Sequence, residues 1–355
     1  MNNGQPFISG LQQVGLGIAH VHESWRWYRE HFDFNIPIFE EAAEARLMLP
    51  YTGGKVRKRH AILAMNLRGG GGLEIWQYTE RTPQPPDFKL QLGDLGIFII
   101  KMKSSDVDGT YRFLKGKGTN LLGSVGQNPM GQQHFYLTDP FGNLVEVVES
   151  DNWFSSGRRS MGGVFGCVIG VSDMVKSLRF YSQILGYDQV VFDEKSSFGD
   201  FTDLPGGQAI CRRVLLRHSR PRRGAFSKLL GSNEIELVQL DNGRKPRKIF
   251  ENRYWGDLGY IHLCFDICGM DAMKKRCEDM GFPFTVESSS SFDMGQAAGH
   301  FSYIEDPDGT LIEFVETHRL PLLKKLGWYL DLTKRRPEKA LPSWMLKALS
   351  FSRVK

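Results

Sequence analysis

Long apolar runs are missing from this sequence. None of its apolar stretches approaches the roughly 20 residues that span a bilayer. The N-terminal segment MNNGQPFISG has neither the basic residues nor the apolar core of a secretory signal. We therefore expect a cytoplasmic protein without a transmembrane segment.

Cysteine is scarce and unevenly placed. The 5 cysteines are an odd number, and all of them lie in the second half of the chain, from Cys167 to Cys277. Cys264 and Cys268 have no second cysteine pair that would complete a zinc site with them. A disulfide framework is therefore not expected, and buried, reduced thiols are the better interpretation.

Charge and motifs exclude several functional classes. The formal net charge of +5 is modest, and the sequence has no recognisable recognition helix or zinc finger. It also lacks a P-loop, a dinucleotide fingerprint and a recognisable Ser-His-Asp arrangement. We expect a small-molecule substrate as partner and no nucleic acid.

What the sequence does contain is an internal repeat. Four segments of the first half recur in the second half in the same order, 153 to 167 residues later. The pairs are SWRWY from Ser24 and SLRFY from Ser177, LEIWQ from Leu73 and IELVQ from Ile235, DLG from Asp94 and Asp257, and DPFGNLVEVVE from Asp139 and DPDGTLIEFVE from Asp306. These matches predict two homologous domains over 1–154 and 163–318, a linker over 155–162, and a C-terminal tail over 319–355.

The local pattern is also the same in both halves. Alternating residues over 14–18 predict a strand, and Trp25, Tyr28 and Phe32 at helical spacing predict a short helix. Further strands, a second helix and a hairpin at Asp-Pro-x-Gly follow, since proline presets φ and glycine accepts a positive φ. The pattern therefore predicts an α+β fold in which a helix and a few strands recur twice per half.

This order of elements, closed in each half by an x-Asp-Pro-x-Gly-x-x-x-Glu hairpin, resembles the vicinal-oxygen-chelate superfamily. That family includes glyoxalase I, methylmalonyl-CoA epimerase, extradiol dioxygenases and bleomycin-resistance proteins. The resemblance covers residues 8–317 and implies tandem βαβββ modules that form two domains with curled, mainly antiparallel, cup-shaped sheets. It also implies inward side chains that hold a divalent metal, although a fold alone does not choose a reaction.

The resemblance also indicates where the metal ligands lie. The four family positions fall on Gly166, Glu236, His262 and Glu313 in the second half, and on Gln13, Glu74, Ile99 and Glu146 in the first. Because the first-half set has no histidine, we expect a degenerate first domain and an active site in the second. There Glu236, His262 and Glu313 are expected to bind Mn, Fe, Co, Ni or Zn, since they offer a mixed oxygen and nitrogen site.

Further roles are predicted around this set. Glu236 is the expected catalytic proton-transfer group, and Gly166 leaves one ligand position open to water or substrate. A run of arginines that includes Arg212 and Arg213 favours an anionic substrate, because guanidinium groups bind carboxylates and phosphates through paired contacts. A solvated loop is the ordinary alternative for these arginines.

Three functions stay open on the sequence. The leading hypothesis is a metal-dependent lyase or isomerase that acts on a carbonyl or vicinal-oxygen substrate. A metal-free protein that binds or sequesters a small molecule has the same cup. A dioxygenase-like enzyme is the third alternative, and Gly166 argues against it because an iron site of that type needs two histidines and one carboxylate.

The tail has a composition of its own. It holds ten Lys and Arg against two acids, interspersed with large apolar residues. Such an amphipathic segment is suited to the protein's own domains, a second subunit or a membrane surface. We expect it to fold as helix against the body and to bury Trp328 and Trp344.

Overall fold

The chain folds as four modules. The computed structural model describes residues 5–157, 159–289, 292–294, 297–323 and 328–354. The first module consists of β1 (Phe7–Gly17), α1 (Val21–Phe32), β2 (Ile36–Glu44), β3 (Lys58–Met65) and β4 (Gly72–Tyr78). The second consists of β5 (Gly96–Ser104), α2 (Val107–Gly116), β6 (Asn120–Gln127), β7 (Gln133–Thr138) and β8 (Leu144–Glu149).

The second half repeats this order with additions. The third module consists of β9 (Met161–Gly170), α3 (Met174–Gln183), β10 (Gln189–Ser196), β11 (Cys211–Arg217), the short α4 (Ser227–Leu230) and β12 (Glu234–Leu240). The fourth consists of β13 (Gly259–Cys268), α5 (Met270–Asp279), β14 (Val286–Glu287), β15 (Phe292–Met294), β16 (Ala297–Glu305) and β17 (Leu311–Leu323). The chain then adds β18 (Trp328–Asp331) and α6 (Ser343–Lys347).

The strands form two curled sheets of mixed direction. Sheet A has the order β14-β16-β17-β13-β1-β4-β3-β2, with β15 and β18 paired to β16 and β17. Sheet B has the order β10-β11-β12-β9-β5-β8-β7-β6. Most neighbours are antiparallel, but β1 with β4 and β13 with β17 are parallel, as are their counterparts in sheet B. The predicted α+β fold with cup-shaped sheets is confirmed.

The sheets do not follow the halves of the sequence. Sheet A joins the first module to the fourth, and sheet B joins the second to the third. The expectation that 1–154 and 163–318 each build a sheet of their own is therefore wrong. The short connection over 150–160 allows β5 and β9 to pair antiparallel. β1 and β13 then pair antiparallel with each other, so that their edges do not stay without hydrogen-bond partners.

The repeated motifs contact each other. The Tyr28 hydroxyl, from the first SWRWY segment, donates to Asp139 Oδ2 at 2.7 Å, and Tyr181 donates to Asp306 Oδ2 at 2.9 Å. Both aspartates open the Asp-Pro-x-Gly hairpins, where their other oxygen accepts backbone N–H groups of the turn. Each tyrosine thus fixes the hairpin of the next module and ties sheet A to sheet B.

One face of each sheet packs against the helices in the main hydrophobic core. Successive side chains of a strand point to opposite faces. On β13, Leu263 and Phe265 lie in this core, whereas His262 points to the other face. The other face of each sheet is therefore the interior of a cup.

The tail differs from expectation. β17 continues through Leu323 and pairs with β18 in a hairpin, so the segment begins as strand and not as helix. Pro321, Pro337 and Pro342 divide the tail, and proline interrupts a continuous helix. Trp344 is 62% exposed, so its predicted burial is wrong, and the Trp328 side chain lies outside the described residues. Among the described residues, we find no helix with the length and apolarity that crossing a bilayer requires.

Candidate metal centre

Four adjacent strands in the middle of sheet A each contribute one polar side chain to the same cup. In the order of the sheet these are Glu313 on β17, His262 on β13, Gln13 on β1 and Glu74 on β4. All four are buried, with exposures between 0% for His262 and 8% for Glu74. Buried carboxylates and imidazoles are costly unless they are paired or bind a metal.

The four side chains lie within reach of one another. His262 Nε2 lies 3.1 Å from Glu313 Oε2 and 3.4 Å from Glu74 Oε2, and Gln13 Nε2 donates to Glu74 Oε2 at 3.3 Å. Glu74, His262 and Glu313 form a group whose ligand atoms all lie within 4.8 Å of one another.

Several of these atoms have no hydrogen bond of good geometry within the described part of the chain. They are Gln13 Oε1, both ring nitrogens of His262, and Glu313 Oε2. Such atoms are rare in protein interiors and call for an explanation such as a bound ion. A divalent metal would accept electron pairs from the two oxygens and from one ring nitrogen of neutral His262, so the residues present fit such an ion.

Gly15 makes room for the imidazole. It lies on β1 opposite both His262 and Glu74, and a Cβ at this position would lie 2.3 Å from His262 Cε1. The ring therefore occupies the space above a residue that has no side chain. The Trp255 ring lies nearly parallel to the imidazole with the ring centres 6.4 Å apart, and Tyr303 meets the imidazole edge to face at 5.5 Å.

The charges of the group stabilise one another. Burial tends to lower the pKa of His262, but the adjacent Glu313 and Glu74 carboxylates outweigh it and raise the pKa to about 9. Burial likewise tends to raise the pKa of Glu74, yet the neighbouring His262 holds that pKa below its ordinary value. The protein without metal therefore has a cationic imidazole beside anionic Glu74.

The group opens onto a cavity of about 210 Å³. Gln13, Glu74 and Glu313 line one part of it, and most of the remaining wall is apolar. Besides strand residues of sheet A and Trp255, that wall includes the 45–48 segment after β2, the region of α4 in the third module, and Leu349 in the tail. A small molecule in this cavity would meet the polar group and an apolar wall together.

The corresponding interior of sheet B is filled by the protein itself. Lys101 on β5 lies 2.5 Å from Glu236, 2.9 Å from Glu234 and 3.6 Å from Glu146, measured from Nζ to the nearest carboxylate oxygen. Lys101 and these carboxylates are all buried. The ammonium group therefore supplies the positive charge that a metal would supply in the other cup.

Arg213 completes this buried network. It pairs with Glu236 and, from Nη1, with Asp200 Oδ2 at 2.7 Å, while its guanidinium group lies 3.8 Å from the centre of the Phe201 ring. Burial tends to raise the pKa of Glu146, but Lys101 and the hydrogen-bonded His134 lower it to about 2. The network thus holds Glu146 and Glu236 ionised without a metal.

The structure separates the residues that the sequence grouped. His262 and Glu313 lie together as predicted, but Glu236 lies in the sheet B network, so its predicted convergence with them is wrong. Gly166 pairs with Glu234 in sheet B, where a Cβ would lie 2.5 Å from the Glu234 carbonyl oxygen, so it leaves no open position beside His262. The physical reason is the exchange of modules between the sheets.

The two arginines do not line the cavity beside His262 either. Arg213 is consumed by the buried network, and Arg212 makes a paired contact with Asp193 on the neighbouring strand, at 2.8 and 2.7 Å. The predicted substrate role of Arg212 and Arg213 is therefore not supported by their positions.

Two members of the site, Gln13 and Glu74, were not predicted from the sequence to bind the metal. Both occupy family positions of the first half, which lacks histidine there and is for that reason predicted to be degenerate. A signal was present, since a glutamine and a glutamate in the middle of otherwise apolar strands are as unusual as His262 and Glu313. Only the pairing of β1 with β13 unites the two sets.

A second group of possible ligands lies at the surface. His22, Glu40 and His60 bring their ligand atoms within 4.8 Å of one another, with His60 Nε2 at 3.1 Å from Glu40 Oε1. His22 is well exposed and the group lies outside both cups. An ion bound by this surface group would add to the measured number of metal ions per protein chain.

Comparisons with known proteins agree with this architecture. The family model described as Glyoxalase/Bleomycin resistance protein/Dioxygenase superfamily matches residues 10–147 and 164–314. No curated protein matches the sequence.

Solved structures share the fold at low sequence identity. Glyoxalase I from Zea mays superposes with a TM-score of 0.52 at 12% identity, over 88% of this chain and 92% of the maize chain. A candidate dioxygenase from Bacillus subtilis gives a TM-score of 0.56 at 13% identity, over 87% and 86%. The fold and the family model together establish that the chain belongs to the Glyoxalase/Bleomycin resistance protein/Dioxygenase superfamily.

Proposed function

We propose that the protein is a divalent-metal-dependent enzyme of the glyoxalase-like type, with Gln13, Glu74, His262 and Glu313 as metal ligands. The observation that carries this proposal is the set of four buried polar side chains on four adjacent strands, three of which, Gln13, His262 and Glu313, have ligand atoms without a hydrogen bond of good geometry among the described residues. Three oxygen donors and one imidazole form a mixed site of the kind that Mn, Fe(II), Co, Ni and Zn accept.

The reaction class follows from the chemistry of such a site. A divalent ion held there would act as a Lewis acid on a carbonyl or on two adjacent oxygens of the substrate. Glu313 is the better proton-transfer group, because it lines the cavity and its Oε2, 3.1 Å from His262 Nε2, makes no hydrogen bond of good geometry among the described residues, so that it could exchange its metal contact for a proton. Glu74 is held by the Gln13 amide. An isomerase or lyase, in which Glu313 removes a proton beside a carbonyl, is the resulting assignment.

Surrounding residues support this chemistry by limiting water. Trp255 and Tyr303 are buried and line the cavity beside His262. A site that excludes water strengthens every charge interaction inside it. Glu313 would therefore act as a base beside buried aromatic side chains, where its charge interactions are stronger than in water.

The test is metal uptake. The full-length protein, purified without chelators and then titrated with Co(II) after metal removal, should bind one tightly held ion and develop visible absorption bands. His262→Ala and Glu313→Gln should abolish that signal without unfolding the protein. Glu44→Gln is the matched control. Glu44 lines the same cavity, but it pairs with Arg46 at the exposed end of that cavity.

The surface group needs its own control. His22→Ala removes one of its three possible ligands, so any weak second ion that disappears in this variant belongs to the surface. Retention of the tight ion in His22→Ala supports the buried site.

The alternative function, a metal-free binding protein, predicts the opposite result. If the folded wild-type protein takes up no divalent ion, the metalloenzyme proposal fails and the metal-free binding protein takes its place. The buried group does not support the dioxygenase alternative. It contains one histidine and two carboxylates, whereas an iron site of that type needs two histidines and one carboxylate.

A further inference from the structure

The last helical segment of the tail packs on the body by one face. α6 is followed directly by a 3-10 helix over Ala348–Ser352. Leu346 is fully buried in an apolar cluster with Leu229 of the α4 region. Beyond the 3-10 helix, the Val354 N–H donates to the Asn35 carbonyl at 2.9 Å. The body therefore fixes the orientation of this segment, and with it the face that points away from the body.

The outer face carries two large aromatic side chains. Trp344 is 62% exposed and Phe351 is 77% exposed. Phe351 follows Trp344 by about two helical turns, a spacing that places side chains on the same side of a helix. Single exposed apolar residues are ordinary on a protein surface, whereas an aromatic pair on one face marks a surface that binds a partner.

The same face is cationic. Lys347 is exposed and lies three residues after Trp344 and four before Phe351, so it belongs to the same helical stripe. Between positions 336 and 353 the sequence has four basic residues and one acidic residue. Within the described part of the chain, neither Lys347 nor Arg353 forms an ion pair with a carboxylate. The other exposed bases that flank the stripe are Arg336 and Lys339.

Aromatic side chains beside unpaired bases favour one class of partner. Tryptophan and phenylalanine bury their rings at the boundary between headgroups and acyl chains, and lysine and arginine are attracted to anionic lipid headgroups. A second copy of the chain fits less well, because a symmetric contact would bring the bases of both copies together, and like charges repel. The charge and the aromatic pair together therefore fit an anionic bilayer.

We propose that the outer face of the segment over 343–353 docks on an anionic phospholipid surface. Trp344 and Phe351 enter the interface, and Lys347 and Arg353 lie against the headgroups. Leu349 belongs to the same segment and lines the cavity beside the candidate metal site, so docking places that cavity next to the lipid. The docking itself does not depend on a bound metal.

Vesicle flotation with the full-length protein tests this docking. One set of vesicles contains phosphatidylcholine alone, and the other contains about one third phosphatidylserine. The wild-type protein should float with the phosphatidylserine vesicles and stay behind with the phosphatidylcholine vesicles. Binding should weaken steeply as the salt concentration rises from about 0.1 M to about 0.5 M, because salt screens exposed charges.

Substitutions on the outer face separate its two contributions. Trp344→Ser combined with Phe351→Ser should lower the affinity for the phosphatidylserine vesicles by at least about tenfold, since two rings no longer leave water. Lys347→Gln should lower it by about fivefold. Because all three side chains are exposed, the urea midpoints should equal that of the wild type.

Val175→Ser is the matched control. Val175 is also an exposed apolar residue, at 71%, but it lies on α3 in the third module. This variant should bind vesicles as the wild type does. A loss in Val175→Ser equal to that of the double variant would overturn the assignment of the docking face.

Three further results would overturn the proposal. The first is a wild-type protein that floats with neither vesicle, and the second is equal flotation with both, which would remove the preference for anionic lipid. The third is a wild-type dimer in size-exclusion chromatography that the Trp344→Ser and Phe351→Ser pair converts to a monomer. The outer face would then join two subunits instead of docking on lipid.

Discussion

His262 Nε2 lies 3.4 Å from Glu74 Oε2, although the two residues belong to opposite halves of the chain. Their strands, β13 and β4, flank β1, and Gly15 on β1 faces both residues. The candidate metal site therefore exists only because the first and fourth modules share a sheet.

Gly15 is the first position to test. Gly15→Ala should displace the His262 ring, since the new Cβ would lie 2.3 to 2.9 Å from three of its atoms. We expect a loss of about 1–3 kcal/mol in the free energy of unfolding and a clear loss of Co(II) affinity. Urea denaturation and Co(II) titration measure the two effects. Gly116→Ala is the control, because a Cβ added there would have no described neighbour within 4 Å outside its own helix turn, and equal results for both variants would refute the steric argument.

Gln13 should matter for both metal binding and stability. Gln13→Leu removes an amide whose Oε1 has no partner among the described residues but whose Nε2 donates to the buried Glu74 carboxylate, so the free energy of unfolding should fall by about 1–3 kcal/mol. Co(II) affinity should fall by at least tenfold, comparable with the roughly 10–100-fold cost of removing groups that support a metal site. Gln12→Leu, which also changes a residue of the cavity, should leave the affinity intact. Unchanged affinity in Gln13→Leu would remove Gln13 from the ligand set.

Lys101 should be a stability residue and not a catalytic one. Lys101→Met leaves Glu146, Glu234 and Glu236 without their shared cation, and breaking a buried pair in this way costs about 3–5 kcal/mol. Urea denaturation should show this loss. Lys115→Met, an exposed lysine on α2, should show almost none.

A double variant separates charge from packing at Lys101. Adding Glu236→Gln to Lys101→Met should recover part of the lost stability, because one uncompensated carboxylate is gone. If the two substitutions simply add, Lys101 does not act through Glu236.

The Glu146 carboxylate predicts a pH dependence of stability. Its pKa is lowered from 4.5 to about 2 in the folded protein, so the unfolded chain binds a proton more readily than the folded one between these values. The contribution of Glu146 is therefore fully present above about pH 4.5 and is lost as the pH falls toward 2, with a size on the order of 3 kcal/mol. The free energy of unfolding, measured against pH for wild type and Glu146→Gln, should converge on acidification. Parallel curves would contradict this assignment.

The order of the repeated motifs was enough to predict the α+β modules, and the resemblance to the vicinal-oxygen-chelate superfamily predicted the cup-shaped sheets. The Asp-Pro-x-Gly hairpins and the Ser-x-Arg-x-Tyr helices are local patterns, and their side chains meet again in the Tyr28–Asp139 and Tyr181–Asp306 hydrogen bonds. The proximity of His262 and Glu313 could also be predicted, because β13 and β17 pair within one module.

The assignment of Glu236 failed for a nonlocal reason. A duplicated sequence offers more than one way to pair its modules, and the repeats look alike whichever pairing is used. Strand pairing alone separates Glu236, which lies beside Lys101 and Arg213, from Glu74, which lies beside His262.

The sequence by itself determined the modules and their hairpins, because these follow from local patterns of turn residues and strand alternation, and its resemblance to the superfamily indicated which side chains could bind a metal. Only the tertiary structure decided which modules share a sheet, and therefore that Gln13 and Glu74 join His262 and Glu313 while Lys101 fills the other cup. The reason is physical. β1 and β13 are far apart in the sequence, yet their edges pair through backbone hydrogen bonds, and no local sequence pattern predicts which strands pair in this way.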